Sequence, residues 1–443
     1  MAISTFIRFL LQPTSIAPLA VFRIVFGALM FFSTARFMAY NWVEEHFVKP
    51  IFHFKYFGFY WVEVLPAWAM YGLHWLMLLS ALGILLGCFY RVSSILFFIC
   101  FTYTELIDLT YYLNHYYFVS IVAALMCTLP AHAAYSLDAF WQKKSYTEVP
   151  FWTIGVLKLQ LGIVYFYAGI AKINEDWLFE ALPLRIWLPA HTDMWILGYF
   201  FQFVWVAYLF SWVGMLYDVF IPFLLNYKPT RWVAYMAVVI FHALTGLLFP
   251  IGVFPIVMIF STLIFFSSTF HERLLHYLPT RFFGTNSSQN ALKMPSWLLI
   301  IFCLHFSFQL LFPFRYLLYP NNNLFWTEEG YRFSWRVMLM EKAGNATFYV
   351  KDGCTGREGV VVNSDFLNLH QEKQMAMQPD MILQYAHFLA KHYAAQGICN
   401  PKVRAEVYVT LNGRVSKLLI DPHIDLTQLQ DGWEAKKWLL PPP

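Results

Sequence analysis

Nine apolar stretches, most of them about 20 residues long, dominate this chain. They fall at roughly 16–37, 67–88, 92–110, 114–130, 151–172, 197–226, 231–250, 252–270 and 296–314. A helix of about 20 apolar residues spans the hydrocarbon core of a bilayer, and in lipid every backbone polar group must be satisfied internally. The chain is therefore expected to be a mostly α polytopic membrane protein with about nine transmembrane helices. Composition agrees: 59% of the residues are hydrophobic, 20% aromatic and only 13% charged, and mean hydropathy is +0.52. The first run is too long for a secretory signal peptide and lacks a cleavage site, so it reads as a retained helix. The net charge of +4 is small, and with no basic patch, P-loop or GxGxxG nothing points to nucleic acid. Cys88, Cys100, Cys127 and Cys303 lie inside apolar runs without metal-ligand spacing, so no metal is expected.

Short-loop Lys and Arg set the orientation. With the N-terminus inside, the inner loops carry Arg8, Arg91, Lys143, Lys144, Lys228, Arg231, Arg273, Arg281 and Lys293. The outer ones carry Arg36, Lys49, Lys55, Lys172 and Arg185. The N-terminus is thus cytoplasmic and, after nine spans, the C-terminus is not. The expected division is a transmembrane catalytic domain over 1–314 and a C-terminal α+β, β-rich soluble domain over 315–443, with Asn321-Asn322-Asn323 at the membrane exit. In that domain Asp352–Gly356 reads as a turn between strands at 346–351 and 359–363, and Pro379–Ala395 as a helix. Asn412-Gly413 reads as an exposed two-residue hairpin turn. If that domain faces an oxidising compartment, Cys354 and Cys399 are available to pair.

Polar residues inside apolar runs are the functional candidates. Lys172 ends the fifth run: it either snorkels to the headgroups or is a partly desolvated amine able to accept a proton. Asn114 and His115 open the fourth span. His242 lies about eleven residues into the seventh, roughly 16 Å deep at 1.5 Å per residue. All three positions fall towards the outer face, beneath the soluble domain. Each has a plainer alternative, an aromatic-belt residue for His115 and an interhelical hydrogen bond for His242. Asp218 reads as a structural partner to a neighbouring helix.

Tyr112-Leu-Asn114-His115-Tyr-Tyr, Ala168-Gly-Ile-Ala-Lys172-Ile-Asn-Glu-Asp176-Trp177 and His242-Ala-Leu-Thr-Gly-Leu-Leu-Phe249-Pro-Ile-Gly252-Val-Phe254 resemble motifs of the vitamin K-dependent gamma-glutamyl carboxylase family. Tyr331-Arg-Phe-Ser-Trp335, Asp352-Gly-Cys-Thr-Gly356 and Asp421-Pro422 continue the resemblance. It departs at Gln384-Tyr-Ala-His-Phe388-Leu, where animal members have a cysteine tying the lumenal part to the membrane part. It also lacks a long C-terminal extension, as in a bacterial-type homologue. The resemblance implies an enzyme that oxygenates vitamin K hydroquinone with O2 to its epoxide and makes γ-carboxyglutamate from peptidyl glutamate and CO2.

On this reading Lys172 deprotonates the hydroquinone, Asn114 and His115 hydrogen-bond oxyanions and manage protons, and His242 stabilises charge. Phe249, Phe254 and Met258 either line the quinone slot or pack helices. Arg185 either holds the substrate carboxylate or contacts headgroups, and Tyr331 and Trp335 are candidate walls for the glutamyl peptide. Two rivals remain, a membrane quinol oxygenase that no longer carboxylates protein and a non-enzymatic transporter. The partners implied are a glutamate-containing protein or peptide and membrane lipid. The setting is a bacterial inner membrane or the endoplasmic reticulum.

Overall fold

A computed structural model describes residues 8–277, 287–288, 296–319 and 323–443. Arg281, Lys293, Asn321 and Asn322, used above for orientation and boundary, lie outside the described residues.

The membrane helices follow the apolar runs: α1 (Ala17–Ala39), α2 (Ala67–Leu86), α3 (Tyr90–Ile107), α4 (Asn114–Thr128), α5 (Trp152–Ala171), α6 (Val204–Asn226), α7 (Arg231–Leu248), α8 (Phe254–Ser261), α9 (Ser268–His276) and α10 (Ser296–Leu311). Among the described residues seven helices are long and apolar enough to cross a bilayer, or eight if the pair Phe254–Phe265 and Ser268–His276, bent by 115°, counts as one. The expected ninth is α4, only 15 residues long. The eighth expected span is not straight. It stops at Ser267, whose side chain accepts from the Phe270 N–H and starts α9 in a new direction. α9 then lies beside the start of α1, where the Ser15 hydroxyl donates to Glu272 (2.8 Å). The chain after α8 has therefore reached the side on which α1 begins.

Close helix contact needs small residues. Gly27 of α1 is pressed against the main chain of Leu85 on α2, where a Cβ would collide. Arg23, fully buried in α1, donates to the carbonyls of Ile84 (2.9 Å), Leu85 (2.8 Å), Ala131 (3.1 Å) and Tyr135. An arginine in hydrocarbon is tolerated because these carbonyls absorb its donors.

The C-terminal region is a four-stranded antiparallel sheet, β1 (Lys342–Lys351), β2 (Glu358–Val360), β3 (Lys402–Leu411) and β4 (Lys417–Leu418), in the order β2-β1-β3-β4. It packs against α11 (Leu369–Met375) and α12 (Pro379–Ala395). α12 matches the helix expected from sequence. α11, which was not foreseen, starts at an Asn368–Gln371 capping box. Asn412 is a correction: it sits in the turn after β3 with φ 52° but is only 3% exposed. Its side chain is spent, accepting from the Glu341 N–H (2.8 Å) and donating to Asp176 (2.6 Å).

Non-covalent bonds join this region to the membrane part. The Gln384 amide accepts from the Lys55 N–H (2.8 Å) and donates to the Lys55 carbonyl (3.0 Å), and Phe388 packs on Phe52 at 4.5 Å. The segment that lacks the animal-type cysteine thus still holds the membrane part. Asp108, fully buried, receives Gln371 (2.8 Å) and faces His53 (3.1 Å), and Tyr111 is stacked between His46 and His370. Cys354 and Cys399 form a disulfide.

Candidate active site

Lys172 caps the C-terminal end of α5, and its side chain points back over the last turn. Its Nζ donates to Asp218 Oδ2 on α6 at 2.6 Å and to the Ala168 carbonyl at 3.2 Å, and lies 5.4 Å from the Trp177 ring. Lysine and aspartate are 6% and 4% exposed. Lys172, read from sequence as either a headgroup anchor or a partly desolvated amine, is therefore paired with a carboxylate, and Asp218, read as structural, lines the same cavity. The helix around it is shaped for this pairing. Pro222, four residues on, has no N–H to offer the Asp218 carbonyl. Gly169 lets α5 touch α6 at the level of Asp218.

The pair lines a cavity of about 490 Å³. Tyr165, Ala168 and Lys172 line it from one face of α5, as helical spacing dictates. Tyr217 and Asp218 come from α6, His242 and Thr245 from α7, Phe254 and Met258 from α8, and Phe249 from the turn between the last two. His242, 2% exposed, pairs through Nε2 with the Tyr165 hydroxyl at 2.9 Å. Its Nδ1 is buried without a hydrogen-bond partner among the described residues. The Phe254 ring stands between the two histidines, 5.6 Å from His115 and 5.6 Å from His242. Phe249 packs on Trp187 at 5.4 Å.

Residues 294–443 match the family described as vitamin K-dependent gamma-carboxylase, lumenal domain, and residues 11–270 match the family described as HTTM domain. The chain belongs to the vitamin K-dependent gamma-carboxylase family. No solved structure matches it. With seven or eight apolar spans among the described residues, it is a multi-pass membrane protein.

The structure of this carboxylase-family member brings together Lys172, His242, Phe249, Phe254 and Met258, with His115 adjoining through Phe254. Asn114 turns away: its amide donates to the Arg336 carbonyl (2.7 Å) and accepts from Tyr112 (3.1 Å), holding the segment after the last span over the site. Val337 and Met338 of that segment line the cavity. Trp335 does not. It is 1% exposed and stacked on Tyr117 at 4.8 Å, so it presents no surface to a peptide in this structure. Tyr331 packs on Phe325 at 6.3 Å and lies outside the cavity lining. Arg185 is outward, about half exposed, 3.8 Å from Glu180, while its neighbours Leu184 and Trp187 face the cavity.

Sequence reasoning assigned no role to Tyr165 and Tyr217. Tyr165 sits seven residues before Lys172, a spacing that puts both on one helix face, and that signal was available. Asp176 ties the site's rim to the sheet. Burial would raise its pKa, but the Arg414 and Asn412 hydrogen bonds win and hold it below the usual carboxylate value.

Proposed function

We propose that this chain carboxylates glutamyl side chains of a polypeptide, coupled to oxygenation of vitamin K hydroquinone. The observation that carries the reading is the Lys172–Asp218 pair in a largely apolar, aromatic-walled cavity of about 490 Å³. That volume is in the usual range for small-molecule sites. An aromatic ring bearing an ionisable hydroxyl fits it: apolar walls for the ring, one proton acceptor, and an unpartnered imidazole nitrogen on His242. Reacting with O2, the hydroquinone supplies a base much stronger than any side chain, which removal of a glutamyl γ-proton requires.

The protein's own groups do the rest. The Lys172–Asp218 pair has room for one more proton. Whether its shared proton starts on nitrogen or oxygen, taking the hydroxyl proton leaves an ammonium and a neutral carboxyl. That ammonium would be a preorganised positive charge among apolar walls, suited to a hydroquinone oxygen that has lost its proton. His242, fixed by Tyr165, would donate to developing oxyanions, and His115, behind Phe254, would do so only if that ring moves aside. Phe249, Phe254 and Met258 would flank a bound ring, and Asn114 anchors the covering segment through the Arg336 carbonyl. Exclusion of water protects the strong base from quenching. After the γ-proton leaves, one carbon–carbon bond forms between the carbanion and CO2, with no leaving group. Arg185, outward beside Leu184 and Trp187, would be the group to meet a substrate carboxylate approaching the rim.

The test is incubation of purified protein with reduced vitamin K, a glutamyl peptide and labelled CO2. Label in the peptide together with epoxide is the expected result. Epoxide without label reduces the activity to quinol oxygenation, and the absence of both defeats the reading.

A further inference from the structure

Behind α5, away from the reaction cavity, lies a second cavity of about 600 Å³. Neighbouring residues face opposite ways: Ala168 and Lys172 line the first, Tyr167 and Ala171 the second. The segment after the last span divides likewise, with Val337 and Met338 on one side and Ser334 and Arg336 on the other. Membrane residues Tyr167, Ile170 and Phe314 form one wall, and Trp326, Leu411 and Arg414 of the C-terminal region form the other.

Arg336 is 8% exposed and lines this cavity with its Nε buried and without a hydrogen-bond partner. The Tyr316 side chain faces it, with the ring centre 4.6 Å from the guanidinium carbon and the hydroxyl in hydrogen-bonding reach, and Arg336 forms no ion pair with a carboxylate among the described residues. Of the other arginines at this junction, two have carboxylates, and Arg315 has its donors taken by neutral oxygens. Arg332 pairs with Asp380 (2.5 Å), Arg414 with Asp176 (2.5 Å), and Arg315 donates to Ser334 (2.8 Å). A buried charge is normally paired. Arg336 thus has Tyr316 beside it but no counter-charge among the described residues.

We propose that the second cavity binds the headgroup of a membrane phospholipid, its phosphodiester on Arg336. A guanidinium fork matches phosphate oxygens. Position favours lipid, because the cavity lies against the outer ends of α5 and of the last span. That span, Trp297–Leu318, is only 22% buried. Nearby Ile173, Leu317 and Leu318 are 57%, 63% and 83% exposed, an apolar edge along which acyl chains can run into the bilayer. A volume of about 600 Å³ suits a headgroup and glycerol with the chains outside. Glu175 and Asp176 also line the cavity and oppose any anion, so a single phosphodiester charge held on Arg336 is favoured over the several carboxylates of an acidic peptide. The bound lipid would join the two halves of the molecule at the back wall of the reaction cavity.

The experiment is native mass spectrometry of the full-length protein in detergent, titrated with phosphatidylglycerol or phosphatidylcholine, with glycerol phosphate and a glutamate-rich peptide as competitors. It reads binding alone and is independent of the proposed reaction. The wild type should hold one tight phospholipid. Arg336→Gln should weaken that binding at least tenfold, and Arg336→Lys should recover part of it. Ile170→Trp, which fills the cavity and leaves the arginine, should also expel the lipid, and it decides the matter if Arg336→Gln does not fold. Equal lipid retention in a folded Arg336→Gln or Ile170→Trp protein overturns the proposal. Displacement by glycerol phosphate overturns it in favour of a soluble phosphate site, and displacement by the peptide in favour of a polypeptide site.

Discussion

Gly169 of α5 lies against the main chain of Val219 of α6, where a Cβ would stand 2.6 Å from the Val219 nitrogen. This contact is next to Asp218 and sets the helix separation across which Lys172 reaches it. Gly169→Ala should force the helices apart and cost about 1–3 kcal/mol, the usual penalty for overpacking. Thermal unfolding in detergent measures the loss, and quinol oxidation should fall with it. An unchanged melting temperature would mean the helices part freely and do not fix the pair.

Lys172→Ala should abolish both quinol epoxidation and glutamate carboxylation, since both follow from loss of the hydroxyl proton. A small exogenous amine should restore part of each, and more as pH rises, because only the free base accepts a proton. Asp218→Asn should lower both activities by about 10²–10⁴-fold, the range for a lost acid–base group. Normal quinol oxidation by a folded Lys172→Ala protein would reduce Lys172 to an anchor.

Tyr165→Phe leaves His242 Nε2 without its 2.9 Å partner. A buried group so orphaned costs about 1–3 kcal/mol. Carboxylation should drop while protein yield and fold persist, and His115→Ala should reduce carboxylation more than epoxidation. Equal loss of both in His115→Ala would place that histidine at the quinol step.

The pH dependence of the rim follows from Asp176. Its pKa is lowered in the folded protein, so its contribution is complete above the unfolded value of about 3.9 and is lost as pH falls through the folded value. Asp176→Asn should therefore be less stable than wild type near neutrality and converge with it in acid below about pH 4. Melting curves across pH test this; a difference that persists at low pH assigns the effect to packing.

We expect the sheet on the non-cytoplasmic side. Val415, 81% exposed, is the position to label, not buried Asn412. Val415→Cys should react with an impermeant reagent in intact cells, and non-reducing peptide mapping should find Cys354 linked to Cys399. Reaction only after lysis would invert the orientation.

Much of this architecture is legible in the chain because local signals suffice for it. Pro379–Ala395 carries its own helix start and period, and the spans carry their own apolarity. Lys172 and His242 stand out because lipid makes polar residues conspicuous. Other features depend on distant partners. Asp218 shows its polarity but not the lysine 46 residues away that receives it. Asn412 has the composition of an exposed turn, and only the arrival of Asp176 and Glu341 buries it. Trp335 belongs to a motif read as a peptide wall, yet Tyr117 claims its face. The break at Ser267 is a matter of direction, which hydropathy does not encode.

The Lys172–Asp218 pair also has a history within each molecule. The ribosome makes the lysine 46 residues before the aspartate. α5 must therefore be placed in the bilayer with its terminal amine still unmatched, and α6 brings the balancing carboxylate afterwards. Insertion of the two helices is thereby coupled: the later one completes the charge of the earlier. Loss of Asp218 should then show first in the cell, as slow or faulty assembly and clearance by membrane proteases, before any turnover is measured.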